Sequence, residues 1–145
     1  MGFFDSMDIA ASGLTAQRLR LDIISQNMAN VNTTRTAEGG PYKRKTVIFE
    51  QMQNENSFSS ILNKKKQSGV NGVRVARIVE DESQGALVYN PTHPDANAQG
   101  YVEMPNVNTV DEMVNMISAS RSYEANVTSF NTMKSMFAKA LEIGK

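Results

Sequence analysis

Apolar residues recur every seven positions at both ends of this chain and hardly at all between them. From Met7 the series runs Met7, Leu14, Leu21, Met28, with Ala10, Ile24 and Val31 near the midpoints. From Met116 it runs Met116, Tyr123, Phe130, Phe137, interleaved with Ala119, Met133 and Ala140. A 3.5-residue repeat makes a helix that buries a seam against another helix. The spacing predicts one helix over about 6–32 and a second over about 109–142. Asp5 or Ser6 can cap the first, and Thr109-Val110-Asp111-Glu112 fits a capping box for the second, with Gly144 past its end. Gly13 is costly inside a helix but permits close approach of a neighbouring backbone.

Each helix carries apolar residues outside its seam. Ile9, Ala16 and Ile23 form a second stripe on the first, and Met113, Ile117, Val127, Met136 and Leu141 fall outside the main row of the second. A helix that is apolar on two sides needs two partners. Pairing the helices with each other leaves these stripes uncovered, and uncovered apolar stripes mark contact surfaces. Ile9, Ile23 and Met113 are therefore expected to face neighbouring subunits, while the two heptad seams join within or between chains.

The middle has a different character. Thr46–Phe49, Val73–Val79, Gly85–Tyr89 and Tyr101–Met104 are β-branched or alternating and read as short strands. Gly39-Gly40-Pro41 signals a turn, and Asn90–Asn97 is a loop rich in proline and Asx residues. Residues 54–69, with Lys64-Lys65-Lys66, read as a mobile loop or a poorly packed hairpin. The expected class is α+β, with long terminal helices (1–35 and 106–145) enclosing a small antiparallel β unit (36–105).

Several function classes fall away. Fifteen basic and fifteen acidic residues cancel, so no bulk charge favours nucleic acid or an anionic membrane. The chain has no cysteine and one histidine, too few ligands for a zinc or iron site. His93-Pro94-Asp95 is a polar loop tripeptide whose flanks are strand-like rather than helical. No nucleophile elbow and no phosphate-binding or dinucleotide glycine pattern occurs, and Glu80-Asp81-Glu82 reads as a solvated turn. No cofactor and no small-molecule substrate is expected. The N-terminus shows no cleavable secretory signal. Met1-Gly2 with Ser6 fits only the loose myristoylation pattern, and Phe3 and Phe4 suit packing equally well.

The segment Ser12-Gly13-Leu14 … Ser25-Gln26-Asn27-Met28-Ala29-Asn30-Val31-Asn32-Thr33 resembles the N-terminal signature of bacterial flagellar rod, hook and hook-associated proteins. Glu112–Asn126 resembles their C-terminal signature. Gly39–Lys45 and the run 90–108, with Pro91, His93, Pro94, Asp95, Pro105, Asn106 and Asn108, resemble the proximal-rod members. Met28 stands where isoleucine is common, and residues 51–69 match no part of the pattern. The resemblance implies a structural subunit of the rod that crosses the periplasm and carries torque, exported unfolded through the flagellar type III apparatus. Its implied partners are other rod proteins and copies of itself, with the motor base and bushing rings as further neighbours. In that reading Asn27, Asn30 and Asn32 stop the first helix and set the path of the chain beyond it. Two alternatives stay open here: another flagellar axial component, such as a hook-junction adaptor, and an enzyme acting on cell-wall glycan.

Overall fold

The computed structural model describes residues 3–52 and 71–143. Helix α1 (Phe3–Ala29) leads into strands β1 (Lys45–Gln51), β2 (Val73–Glu80), β3 (Leu87–Tyr89) and β4 (Tyr101–Glu103), and helix α2 (Thr109–Ile143) follows. The strands form two antiparallel pairs, β1 with β2 and β3 with β4. This is the α+β arrangement expected, although the β residues make two separate ribbons rather than one sheet. The reading of residues 54–69, and Gly144, lie outside the described residues.

α1 and α2 pack antiparallel. Phe4 meets Phe137 edge-on at 6.0 Å between ring centres, Gly13 lies against Asn126, and Asn27 reaches Glu112. A Cβ at Gly13 would stand 3.0 Å from Asn126 Nδ2, so the missing side chain allows the approach. The most buried positions of α1 are Ala10, Gly13, Ala16, Ile23, Ile24 and Asn27. Ala16 and Ile23 belong to the second stripe, and the others lie beside it on the side toward the heptad seam. Small residues occupy the line of closest approach, and Met7, Leu14, Leu21 and Met28 flank it half-buried.

The second stripe of α1 is covered from within the chain. Ser12, Ala16, Ile23 and Asn27 share one helical face, and β1 and β2 both pack on α1. In β1, Lys45, Val47 and Phe49 are half-buried and alternate with exposed Thr46, Ile48 and Glu50. Val47 and Phe49 share a cleft with Ile23 and Ile24. The ribbon is pinned at both ends: Asn27 holds Lys45, and Ser12 Oγ accepts from Val73 N at 3.1 Å. The helix rises about 22 Å between Ser12 and Asn27, and a seven-residue strand spans about 23 Å. Their lengths match, so the ribbon splints this part of α1. Ile23 is consequently 8% exposed. The expectation that it faces a neighbouring subunit is corrected, because periodicity reveals an apolar face and not what covers it.

Both helix starts also differ from expectation. α1 begins at Phe3, so Asp5 sits in its first turn and neither Asp5 nor Ser6 is the cap. At α2 the cap is Asn108: its Oδ1 accepts from Val110 N at 3.0 Å, and its carbonyl accepts from Glu112 N at 3.0 Å. Thr109 is already helical, and the Glu112 carboxylate serves a different purpose. At the other end, α1 stops at Ala29, three residues early, where Asn30 Nδ2 donates to Gln26 O at 2.8 Å.

Candidate functional site

Two features stand out at the end of the helix pair where α1 finishes and α2 starts. One is a buried polar hub. Asn27 and Glu112 are both fully buried, and burying such groups is costly unless every polar atom finds a partner. Asn27 Nδ2 donates to Lys45 O at 2.8 Å and to Glu112 Oε2 at 3.0 Å. Its Oδ1 accepts from Tyr42 Oη and from Lys45 N, each at 2.9 Å. This single side chain fills all its bonding capacity. The other carboxylate oxygen, Glu112 Oε1, takes Arg44 Nε and Nη2, both at 2.8 Å. The hub thus joins α1, the segment entering β1, and α2. Burial raises the Tyr42 phenol above its ordinary pKa, and the carboxylates of Glu80 and Glu112 add to that.

Asn106 makes a second tie. Its Oδ1 accepts from Arg44 N at 2.7 Å, while its Nδ2 donates to Asp81 O at 2.9 Å and Ser83 O at 3.0 Å. Pro105 beside it is buried. Asp81 closes its own turn, accepting from Ser83 N at 3.0 Å, and that bond holds its carboxyl below the ordinary range. A lowered folded-state pKa stabilises above the unfolded value and is lost as pH falls through the folded one. The Ser83 amide resonance is therefore expected to hold its position on acidification through the ordinary carboxylate range and to move only below it. A Ser83 shift centred at the ordinary carboxylate value would contradict this.

The loop 90–97 is tied to the exit of α1. Asp95 Oδ2 accepts from Thr34 Oγ1 at 2.9 Å, and Arg35 stands 3.6 Å from Oδ1. His93 Nδ1 accepts from Asp95 N at 3.2 Å. Thr33 donates to Asn30 Oδ1 at 3.2 Å, and its carbonyl takes Tyr42 N at 3.0 Å. Pro91 packs beside Gly100. Ala29, Asn32 and Pro94 are exposed. Most of the polar signature residues therefore act within the chain, fixing loops to the helix ends.

The second feature is an apolar face of α2. Val110, Met113, Val114 and Ile117 are 67%, 50%, 61% and 55% exposed. Their spacing of i, i+3, i+4 and i+7 puts them on one face, half a turn from Glu112 and Ala119, which point inward. The sequence pattern places Met113 here but does not single out Val110 and Val114. Their signal was present in the spacing, but the heptad row beginning at Met116 masked it. Among the interior-facing positions, Met116, Tyr123, Phe130 and Met133 are half-buried and Phe137 is 38% exposed. Ile9 is half-buried on α1. Farther along α2, Met136 and Leu141 are 58% and 60% exposed.

Comparison with known proteins agrees with these features. Residues 7–35 match the family "Flagella basal body rod protein". Residues 98–143 match "Flagellar basal body rod FlgEFG protein C-terminal". The chain is 53% identical to the flagellar basal-body rod protein FlgC of Bacillus subtilis, covering all of both chains. It is 52% identical to FlgC of Borreliella burgdorferi, over 99% of this chain and 98% of that one. With FlgC of Escherichia coli it shares 43% over the full length of both. Residues covered end to end include the middle as well as the helices, which sets aside both a different axial component and a glycan-acting enzyme. The chain belongs to the FlgC family of flagellar basal-body rod proteins and is a structural subunit of the basal body.

Proposed function

We propose that this subunit polymerises through its terminal helices into the proximal part of the rod and transmits motor torque across the periplasm by static packing. Segments 1–35 and 106–145 form the core of the assembled shaft, and 36–105 the unit outside it. The neighbours are other rod proteins and copies of this chain. The motor base and bushing rings lie at the boundaries, and the type III export apparatus handles the chain before it folds. The observation that carries this reading is the outward face of α2. Four apolar side chains in its first turns are at least half exposed, which favours contact with another surface over solvent. A contact that repeats by rotation and rise generates a helical assembly.

Ile117→Asp combined with Val114→Asp tests it. Both sites are exposed, so stability of the isolated chain is expected to change by no more than about 0.5 kcal/mol per site. A buried charge at an interface centre costs far more, of the order of the 2 kcal/mol or more seen at hot spots. Cells carrying only the double variant are therefore expected to export the protein normally, build no rod beyond it and fail to swim. Wild-type motility in those cells would sink the proposal.

A further inference from the structure

We infer that Asn71-Gly72 is a spontaneous deamidation site held shut by the joint that Ser12 makes with the start of β2. It is the only Asn-Gly step in the chain. Without a Cβ, glycine leaves its own nitrogen sterically free to attack the preceding side chain. In the reaction the Gly72 nitrogen, having lost its proton, attacks Asn71 Cγ. A C–N bond forms, and the side-chain amide leaves as ammonia, which takes up the proton. Water then opens the cyclic imide at one of its two carbonyls. Opening at the side-chain carbonyl restores the original backbone with an aspartate. Opening at the backbone carbonyl routes the chain through the side chain as isoaspartate, one carbon longer.

The structure shows why this step is suppressed in the folded chain and damaging when it occurs. Ring closure requires the 71–72 backbone to turn freely, and the residues that follow are held. Gly72 O accepts from Met52 N at 2.8 Å. Val73 N donates to Ser12 Oγ at 3.1 Å, and Ser12 Oγ is itself anchored on Ile9 O at 2.7 Å. There is no slack beside Gly72: a Cβ there would lie 2.5 Å from Ser12 Oγ and 3.0 Å from Ser12 Cβ. An isoaspartate at 71 lengthens the backbone immediately before this contact and so strains the joint. One of the two pins of the β1–β2 ribbon is then weakened, and with it the cover over the face of α1 bearing Ala16. The inference does not depend on the proposed mode of polymerisation.

Peptide mapping by mass spectrometry, which resolves aspartate and isoaspartate at position 71, tests it on the purified full-length chain at mildly alkaline pH. Denatured in urea, the chain is expected to convert at Asn71 promptly, and the folded chain much more slowly. Ser12→Ala is expected to raise the folded rate roughly fivefold, the change in opening equilibrium from losing one hydrogen bond, and to leave the denatured rate unchanged. A second measurement needs no variant. In sub-denaturing urea the Asn71 conversion rate and the Val73 amide exchange rate should rise together, since one opening governs both. Equal folded and denatured rates would overturn the inference. So would conversion that ignores urea while Val73 exchange accelerates.

Discussion

Replacing Glu112 with alanine is expected to remove about 3–5 kcal/mol of folding stability, the cost of breaking a buried ion pair by deleting one partner. Glu112 has a side chain only 1% exposed, and Arg44 is 28% exposed. Truncation leaves the guanidinium facing an empty pocket and strips Asn27 Nδ2 of one of its two acceptors. Because Arg44 retains some solvent, the loss should fall toward the lower end of that range. Glu112→Gln is expected to cost less, since its oxygen can still accept one bond, although its amide must then present a donor to a donor. Asn27→Ala should cost a comparable amount, as it orphans Tyr42 Oη and both backbone groups of Lys45. The double variant is expected to lose less than the two single losses together, by the 0.5–3 kcal/mol typical of coupled neighbours. Urea denaturation of the four proteins measures this. Additive losses would show two independent contacts instead of one hub.

The same residues mark where sequence reasoning reaches its limit. The heptads at Met7–Met28 and Met116–Phe137 announce two helices because a helical face is a local property, written every three or four residues. The pattern predicts a strand at 73–79, and β2 spans 73–80, for a similar reason, since Val73, Val75, Ile78 and Val79 favour a pleated surface. What covers a face is a non-local property. The stripe containing Ala16 and Ile23 looks identical whether a neighbouring subunit or the chain's own ribbon lies over it. The sequence pattern carries no sign that β1 has the right length to reach from Asn27 toward Ser12. Likewise Glu112 stands three residues after Thr109 and satisfies a capping box on paper. Its carboxylate turns inward because Arg44 and Asn27, from distant parts of the chain, offer stronger charge-assisted bonds. The outward patch Val110–Ile117 is partly legible, through Met113 and Ile117, because the spacing puts them on one face; that nothing in the chain covers this face is known only from the fold.

Gly85→Ala is expected to be the most disruptive single methyl addition in the middle of the chain. A Cβ at this position would fall 1.7 Å from Met104 O and 2.8 Å from Met104 C. Both are backbone atoms, so no side chain can swing aside, and one segment must move bodily. The displaced region is held on either side. Met104 N donates to Ala86 O at 2.9 Å, and Asn106, two residues on, gathers Asp81, Ser83 and Arg44. The expected loss is at or above the upper end of the 1–3 kcal/mol typical of overpacking. Gly40→Ala supplies the contrast. Nothing lies within 4 Å of a Cβ there, but φ is +79°, so the penalty is conformational and about 1 kcal/mol. Amide exchange separates the two causes. In Gly85→Ala, protection at Met104 N and at Arg44 N should fall together, because the strain passes through Asn106 to the segment entering β1. In Gly40→Ala the loss should centre on Thr36 N, which donates to Gly40 O at 2.9 Å. Unchanged exchange at Arg44 N in Gly85→Ala would mean that the β3–β4 ribbon absorbs the clash alone, and that Asn106 does not couple it to the hub beneath.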